Sequence, residues 1–413
     1  MLNLSIRTKT LLRAVKLLSQ SPSDLHSLPN TIGAVEFFSS SVKLIADAEK
    51  KELVLMLNNL VYFGIVARIQ HDEDNALEVK ESGEVIVGTK NLLNVLSGED
   101  AATVKLKENK EYLSIRTKHG TLHLNRMYLR SESYEDLKKD QQNCLTNSFA
   151  FELDHEQMRK IVSQVAYACA KKNQYRPILE AVNFYIEPKE KGFLLRCAAT
   201  DSYRMAIREE TIREEAIKSE NHTEKSSCSK NVPAKTLVPL GKMLAMAENK
   251  KASTEIHCAE EKMMFSFDAE EDCHVDIISK LIDGSYPNVK NVIPPKFTTK
   301  VTVAKEDLYH ALDRTLMMKK DGVSICKLSI SKDRFLVTSF VPEIGSTEEK
   351  IKKYNIKGES VLSSFNTKFL IDILKSIEGD KISLYLNGSR APMQITDDQD
   401  NCVLDLVVPV LEL

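Results

Sequence analysis

The feature that most constrains the fold of this 413-residue chain is an internal repeat. Three segments that begin at Ile6, Leu153 and Val303 each contain a helix opened by Thr, Asp or Lys, with apolar residues at i, i+3 and i+4. The segments lie 147 and 150 residues apart. A spacing of this kind predicts several copies of one folding unit.

A second family of helices recurs at nearly the same spacing. Its members begin near Val87, Val232 and Phe365, with a Lys three residues after each of these positions, and they lie 145 and 133 residues apart. Two independent helix families with one repeat length are improbable by chance, so the sequence predicts three real repeats.

Alternating, β-rich stretches separate the helices. Examples are Leu53–Leu57, Phe193–Cys197, Lys381–Leu386 and Val403–Val408, where apolar residues recur at every second position between Gly, Asn and Asp. Each repeat is therefore predicted to contain a helix, several strands, a second helix and several further strands, in that order. The predicted fold class is α+β, with two helices packed on antiparallel sheets in each of three repeats.

Composition suggests where the repeats end. Residues 131–143 form a polar stretch without an apolar pattern and are predicted to link repeats one and two, and Pro294–Lys296 links repeats two and three. The predicted domains are 1–140 with the linker, 147–295 and 297–413. Within repeat two, residues 213–230 are predicted to form a mobile surface loop.

Cysteine usage and hydropathy point to a compartment. The eight cysteines are scattered without a CxxC pair, as expected for reduced thiols. No signal peptide and no apolar run of membrane-spanning length is visible. We therefore expect a cytoplasmic, nucleoid-associated protein without a membrane partner.

Charge is segregated along the chain. The net charge is −2, but the six helix windows together carry +10, which leaves −12 for the remainder. If the helices share one surface, that surface attracts phosphates without reading bases. The alternative is that these cations simply form the solvated faces of amphipathic helices. The candidate DNA-binding residues are Lys9, Arg13, Lys16, Lys90, Arg159, Lys160, Lys235 and Lys242.

Catalytic and metal-binding patterns are absent from the sequence. Ser40 and Lys43 have SxxK spacing but lie in a strand region without the partner motifs of that chemistry. His119 and His123 lie in an apparent hairpin rather than on one helix face, so they do not converge on a metal. Asp397–Asp400 is more typical of an acidic turn than of a cation site. We therefore expect a non-enzymatic protein with no cofactor and no metal.

Three groups of motifs match a known family. They are Tyr175–Val182 with Ala199–Ala206, Leu281–Pro287 with Val292–Pro294, and Leu406–Val410. In their order and spacing they resemble the bacterial DNA polymerase III β subunit, or sliding clamp. The resemblance implies a head-to-tail homodimer that forms a six-domain ring around duplex DNA. It also implies processivity function for the replicative polymerase, with a clamp loader, repair polymerases, mismatch-repair proteins and ligase as further partners.

The resemblance implies a cleft between repeats two and three for short partner peptides rich in Leu and Phe. Repeat two supplies Leu179, Thr200, Asp201, Tyr203, Arg204, Met205, Pro287 and Val292. Repeat three supplies Val323, Asn366, Phe369, Met393, Val407, Val408, Pro409 and Val410. For Val323 and Met393 an ordinary core role is the alternative.

The dimer interface is predicted from an apolar triplet, Leu316–Met318, at the end of a basic helix, where a solvated end would be polar. Its residues are Leu122 and Leu124 in repeat one and Met317 and Met318 in repeat three, with a core role for the two Met residues as the alternative. Two further functions stay open: a specialised or decoy clamp, and a nucleic-acid enzyme with an unrecognised site.

Overall fold

Seven α-helices and 27 β-strands make up the part of the chain that the structure, a computed structural model, describes. The described residues are 1–21, 40–59, 61–129, 132–218, 227–247, 252–270 and 272–411.

Repeat one begins with a strand and a helix, and a second helix follows five further strands. Its elements are β1 (Asn3–Arg7), α1 (Thr8–Ser19), β2 (Ser41–Asp47), β3 (Glu52–Asn58), β4 (Phe63–Gln70), β5 (Glu78–Glu81), β6 (Gly83–Gly88), α2 (Thr89–Ser97), β7 (Thr103–Glu108), β8 (Tyr112–Arg116) and β9 (Thr121–Asn125). The helix α3 (Glu132–Thr146) follows.

Repeat two has the same order of strands and helices, but with four strands between its two helices instead of five. Its elements are β10 (Phe149–Asp154), α4 (His155–Val165), β11 (Ala181–Lys189), β12 (Gly192–Thr200), β13 (Arg204–Ile212), β14 (Cys228–Pro233), α5 (Ala234–Met246), β15 (Ser253–Cys258), β16 (Lys262–Glu270) and β17 (Cys273–Lys280). A single 3-10 turn, Val289–Val292, lies in the connection to repeat three.

Repeat three follows the same order, with six strands between its two helices. It contains β18 (Thr299–Ala304), α6 (Lys305–Thr315), β19 (Lys319–Lys320), β20 (Val323–Ile330), β21 (Phe335–Val341), β22 (Gly345–Ile351), β23 (Tyr354–Gly358), β24 (Val361–Asn366), α7 (Thr367–Ser376), β25 (Lys381–Leu386), β26 (Met393–Asp397) and β27 (Val403–Val407).

The predicted repeat is confirmed at the level of individual helix starts. The first helices begin at residues 8, 155 and 305, and the second helices begin at residues 89, 234 and 367, so the predicted offsets are reproduced. Their apolar stripes are buried because each helix packs on its own repeat's sheets. Equivalent buried positions are Leu11 and Val15 in α1, Met158 and Val162 in α4, and Leu308 and Leu312 in α6.

Shared sheets join the repeats. An eight-stranded sheet, β10-β15-β16-β17-β4-β3-β2-β6, runs from repeat two into repeat one, and a nine-stranded sheet, β14-β11-β12-β13-β27-β26-β25-β18-β23, runs from repeat two into repeat three. The junctions are the antiparallel pairs β17·β4 and β13·β27. We call these the first seam and the second seam. Two five-stranded sheets complete repeats one and three.

The helix α3 corrects the sequence analysis, because the predicted connection between repeats one and two is a helix from Glu132 and not a stretch without a pattern. Tyr134, Leu137, Gln141 and Cys144 are buried along one face of a 15-residue helix. Their spacing of three or four residues is the helical period, but two of the four residues are not large hydrophobics. The helix crosses the first seam and packs on the faces of β3, β16 and β17.

Several smaller expectations can be compared with the fold. Residues 398–402 form the turn between β26 and β27, so the acidic segment that begins at Asp397 is a hairpin turn as predicted. All eight cysteines are free. Part of the predicted loop, residues 219–226, lies outside the described residues, while Cys228–Pro233 is strand β14. No described helix is long and apolar enough to span a membrane.

Candidate partner groove and helix surface

The β12–β13 turn forms one wall of a groove at the second seam. Asp201 organises this turn, because its Oδ1 accepts hydrogen bonds from the backbone N–H groups of Tyr203 and Arg204 at 2.9 and 3.0 Å. Thr200 donates its hydroxyl to the Arg204 carbonyl at 2.7 Å. Ser202 has a φ of 79°, a strained conformation for a residue with a Cβ. The turn is therefore held in one shape by local hydrogen bonds.

Arg204 ties this turn to repeat three. Its Nε donates to Asp201 Oδ2 at 3.0 Å, and its Nη1 donates to Asp372 Oδ2 on α7 at 2.7 Å. The guanidinium also lies over the rings of Phe369 and Tyr167, at 4.6 and 5.3 Å from their centroids. Only 9% of Arg204 is exposed. At least two of its five N–H donors are therefore occupied within the chain.

The groove encloses about 160 Å³. It collects half of the sequence-predicted cleft residues, from the 3-10 turn Pro177–Glu180, the β12–β13 turn, the connection between repeats two and three, and the end of β27. Those lining residues are Leu179, Thr200, Tyr203, Arg204, Met205, Pro287, Val292 and Val408. Apolar walls with few polar groups are typical of grooves that bind short peptides.

Other predicted residues support the groove without lining it. Phe369 stacks on Tyr203, with ring centroids 6.4 Å apart, and Asn366 caps α7 by accepting a hydrogen bond from the Lys368 N–H at 3.0 Å. Met393 and Val407 are fully buried in the core of repeat three.

The remaining predicted residues lie at the margins of repeat three. Val323 is exposed at the start of β20, and neither it nor Pro409 or Val410 lines the groove. Val410 is nevertheless fixed, because its N–H donates to the Ser364 carbonyl at 2.7 Å. The final stretch of the described chain is thus held against β24.

Five lining residues were not predicted from the sequence. They are Arg176, Ser202, Val289, Pro392 and Leu406. For one of them the sequence did hold a signal. Residues 406 and 408 point to the same side of an extended segment, so Val408 in the groove implies Leu406 beside it and Val407 in the core.

A buried carboxyl lies beneath the groove. Asp405, on β27, accepts a hydrogen bond from the Tyr167 hydroxyl at 2.5 Å, whereas its Oδ2 has no hydrogen-bond partner among the described residues. Burial raises the pKa of Asp405 to about 8, although Tyr167 and Arg204 oppose this shift. Asp405 is therefore mostly protonated at neutral pH.

The predicted DNA-binding residues fall into two groups. Lys9, Lys16, Lys90 and Lys242 are exposed, and Lys235 is half-buried. Arg13 pairs with Glu270 at 2.5 Å. Arg159 and Lys160 both pair with Glu378 of repeat three, each at 3.2 Å. The members of the second group are thus already partly neutralised, and α4 and α7 of neighbouring repeats lie side by side.

Of the predicted dimer residues, Leu122 and Leu124 lie on an edge strand, and Met317 and Met318 follow the end of helix α6. Strand β9 is the outermost strand of its sheet, and its Leu122 is 46% exposed while Leu124 is half-buried. Met317 is 69% exposed, but Met318 is only 8% exposed and belongs to the interior. Strand β22 is the outermost strand of its own sheet.

Glu99, Asp100 and His119 bring potential ligand atoms within 4.8 Å of one another. His119 Nε2 already makes a hydrogen bond to Asp100 Oδ1 at 2.8 Å on an exposed surface. His123 instead packs against Tyr112, with ring centroids 4.2 Å apart. The two histidines therefore have separate partners, and neither arrangement requires an ion.

The fold defines a class: an α+β clamp chain of three repeats whose shared sheets run continuously across the seams. Comparisons with known proteins agree. The central-domain model of the DNA polymerase III beta subunit matches residues 152–288, and its C-terminal-domain model matches residues 290–411. The chain belongs to the DNA polymerase III beta subunit family, whose curated members are named beta sliding clamps.

Curated relatives and solved structures are similar over nearly the whole chain. The beta sliding clamps of Staphylococcus epidermidis and Staphylococcus aureus are each 27% identical over 368 residues, which covers 88% of this chain and 90% of theirs. Crystal structures of the Bacillus subtilis sliding clamp and the Streptococcus pneumoniae polymerase III beta chain superpose with TM-scores of 0.81 and 0.82. Both are 22% identical and cover all of both chains. The family and fold expected from the sequence are thus confirmed, and this family is non-catalytic.

Proposed function

We propose that this chain pairs head to tail with a second copy, that the ring encircles duplex DNA, and that the groove at the second seam holds a DNA polymerase. The proposal deepens the sliding-clamp identity of the family. Clamp loader, repair polymerases, mismatch-repair proteins and ligase are proposed as further partners of the same groove, in the cytoplasm.

The observation that carries the dimer is the equivalence of the sheet edges. The third long strand after each first helix is β4, β13 or β22, and the last strand of each repeat is β9, β17 or β27. Within the chain, β4 pairs with β17 and β13 pairs with β27. That leaves β22 and β9 as the equivalent pair, each with an outer edge that no other described strand covers. Two exposed edges of this kind favour pairing between copies.

The registers of the two seams within the chain also suggest a register for the proposed pairing of β22 with β9 of a second copy. Phe63 faces Ser279 at the first seam, and Arg204 faces Val407 at the second. The residue equivalent to Phe63 and Arg204 in repeat three is Ile344, which precedes the first residue of β22. The residue equivalent to Ser279 and Val407 in repeat one is Leu124. We therefore propose that Ile344, which is exposed, faces Leu124 of a second copy.

The DNA contact is proposed to be weak and independent of sequence. Lysines on α1, α2 and α5 are long, exposed point charges suited to phosphates rather than to base edges. The partial neutralisation of Arg13, Arg159 and Lys160 keeps the number of strong contacts low. A protein that must slide along DNA benefits from few tight contacts, with topology supplying retention.

A truncation tests the groove. Removing residues 408–413 takes away Val408 from the groove wall and the anchored Val410, so polymerase stimulation should be lost while dimerisation persists. The matched control removes only Glu412 and Leu413 and should stimulate fully. Full stimulation by the longer truncation would refute the assigned groove. A ring in which even the control fails to stimulate its host polymerase would favour a specialised clamp instead.

A further inference from the structure

Another groove lies at the first seam. It occupies the position in the repeated fold that corresponds to the groove at the second seam. It encloses about 140 Å³ and lies between the β3–β4 turn, the end of β17 and helix α3. The groove at the second seam has the corresponding three walls: the β12–β13 turn, the end of β27 and the connection that follows β17. Each groove thus lies between a hairpin turn, a last strand and the connection joining its two repeats.

The correspondence holds for individual positions. Hairpin and seam registers pair Asn58 with Gly64 and Gly64 with Ile278 at the first seam. They pair Thr200 with Met205 and Met205 with Leu406 at the second. Continuing the registers makes Tyr62 equivalent to Tyr203 and Lys280 equivalent to Val408. These residues line their respective grooves: Asn58, Tyr62, Gly64, Ile278 and Lys280 in one, and Thr200, Tyr203, Met205, Leu406 and Val408 in the other.

Helix α3 makes the wall of this groove a fixed structure. Tyr134 is fully buried beneath it, with its ring 5.5 Å from the Lys43 ammonium, and the Ser133 carbonyl accepts a hydrogen bond from Asn58 Nδ2 at 2.8 Å. Leu137 packs on Gly64 so closely that a Cβ there would overlap the leucine methyl. The helix is therefore held to repeat one through its first turns.

The same helix is held to repeat two through its second half. Gln141 donates a hydrogen bond to Asp276 of repeat two, and Asp140 pairs with Lys262 of repeat two, while Gln141 also accepts a hydrogen bond from Arg68 of repeat one at 2.8 Å. Because α3 is anchored on both sides of the first seam, the groove beside it is preformed. A preformed site loses less conformational entropy when a ligand binds.

Charge distinguishes the two grooves. Asp140 is matched by Lys262, and Asp136 lies 3.6 Å from Lys139. Lys280 is exposed and has no ion-pair partner among the described residues. At the equivalent position the other groove has the apolar Val408. An unmatched ammonium at the end of a groove whose two carboxylates already have lysine partners favours a ligand that brings a carboxylate.

We propose that the first seam is a second peptide-binding groove, for a short segment with an apolar anchor followed by an acidic side chain that pairs with Lys280. This rests on the proposed function, because it takes the second seam as a peptide groove. The apolar anchor lies among Tyr62, Leu137 and Ile278, as an anchor at the second seam would lie among Tyr203, Met205 and Leu406. One chain then offers two grooves with different charge preferences.

Two fluorescein-labelled peptides with the same Leu-Phe core, one ending in two Asp residues and the other in two Lys residues, test the proposal. Binding stoichiometry is measured by titration of the full-length protein. The acidic peptide should bind at two sites per chain and the basic peptide at one. The variant Lys280→Glu should reverse this, with the acidic peptide losing its second site, or binding there roughly tenfold more weakly, and the basic peptide gaining one.

The truncation of residues 408–413 separates the two proposals. It should remove one site for each peptide and leave the acidic peptide's site at the first seam. If the truncation leaves both stoichiometries unchanged, the groove at the second seam is refuted independently of the first. Two results would refute the groove at the first seam. One is a single binding site for the acidic peptide in the wild-type chain, and the other is unchanged peptide binding in the Lys280→Glu variant.

Discussion

Arg204 of repeat two donates a hydrogen bond to Asp372 of repeat three at 2.7 Å, across the second seam and directly beside the groove. The same guanidinium is held by Asp201 and lies over the ring of Phe369. The side chain that the sequence resemblance assigned to peptide contact therefore also joins two repeats. Any change in Arg204 affects the relative position of the groove's two walls.

Replacing Arg204 with Ala should lower the free energy of unfolding by about 3 kcal/mol, because it leaves Asp372 and Asp201 without their partner in a largely buried setting. Lys368→Ala is the matched control. It removes an exposed partner of the same Asp372, at 3.2 Å, and should cost less than about 1 kcal/mol. Urea unfolding of both variants measures the difference. An equal loss of unfolding free energy in the two variants would show that Arg204 stabilises the second seam no more than an exposed lysine does.

Asp405 predicts a dependence of stability on pH. Its pKa is about 8 in the folded chain against 3.8 in the reference state. The unfolded chain therefore loses its proton first, and the contribution of Asp405 to stability falls as pH rises from about 4 to about 8. Asp405→Asn stays neutral, so it should gain on the wild type by up to about 1.4 kcal/mol per pH unit in this window. If the free energies of unfolding of the wild type and of Asp405→Asn changed with pH in parallel between about 4 and about 8, the raised pKa of Asp405 would be contradicted.

The pairing of basic residues predicts unequal DNA contributions. Lys16 is exposed on α1, and Lys16→Ala should reduce the salt slope of direct DNA binding by about 0.9 if its ammonium meets one phosphate. Arg159→Ala should change the slope less, since Arg159 is already held by Glu156 and Glu378 at 2.7 and 3.2 Å. Fluorescence anisotropy over a series of salt concentrations measures both slopes. A larger change of the salt slope in Arg159→Ala than in Lys16→Ala would contradict the proposal that the exposed lysines contribute more to DNA binding than the paired residues.

The free edge of β9 predicts a sensitive position for dimerisation. Leu122→Glu places a charge on the same side of β9 as Leu124, whose contact with Ile344 of a second copy is proposed, so sedimentation should show a monomer. Leu145→Glu on α3 is the control, because Leu145 is 48% exposed and Leu122 is 46% exposed. The control should sediment as the wild type does. A dimeric Leu122→Glu variant, or a wild-type monomer at micromolar concentration, would refute the edge pairing.

The repeat could be predicted from sequence because its signal is local and recurs three times. Helix stripes such as Leu11 with Val15 are set by a period within one segment, and the same spacing appears again 147 residues later. Helix α3 lacked such support. It occurs once in the described chain, and its buried face includes Gln141, whose hydrogen-bond partners Asp276 and Arg68 lie on strands distant in the sequence.

The groove was predictable in outline but not in detail. The turn around Asp201 and the final strand were found through family motifs, and the structure brings them together. Met393 and Val407 belong to the core because successive strand residues face opposite sides. The role of Arg204 depends on Asp372, 168 residues away. No local pattern in the sequence reports such a partner.

Retention on DNA tests the central claim most directly. The protein is assembled with a bacterial clamp loader onto a nicked circular plasmid, and the fraction that stays bound is followed by gel filtration before and after the plasmid is cut once. A topological ring stays on the circle and slides off the linear molecule, whatever the sequence at the cut. Equal retention on circular and linear DNA, or no retention on either, would contradict the account.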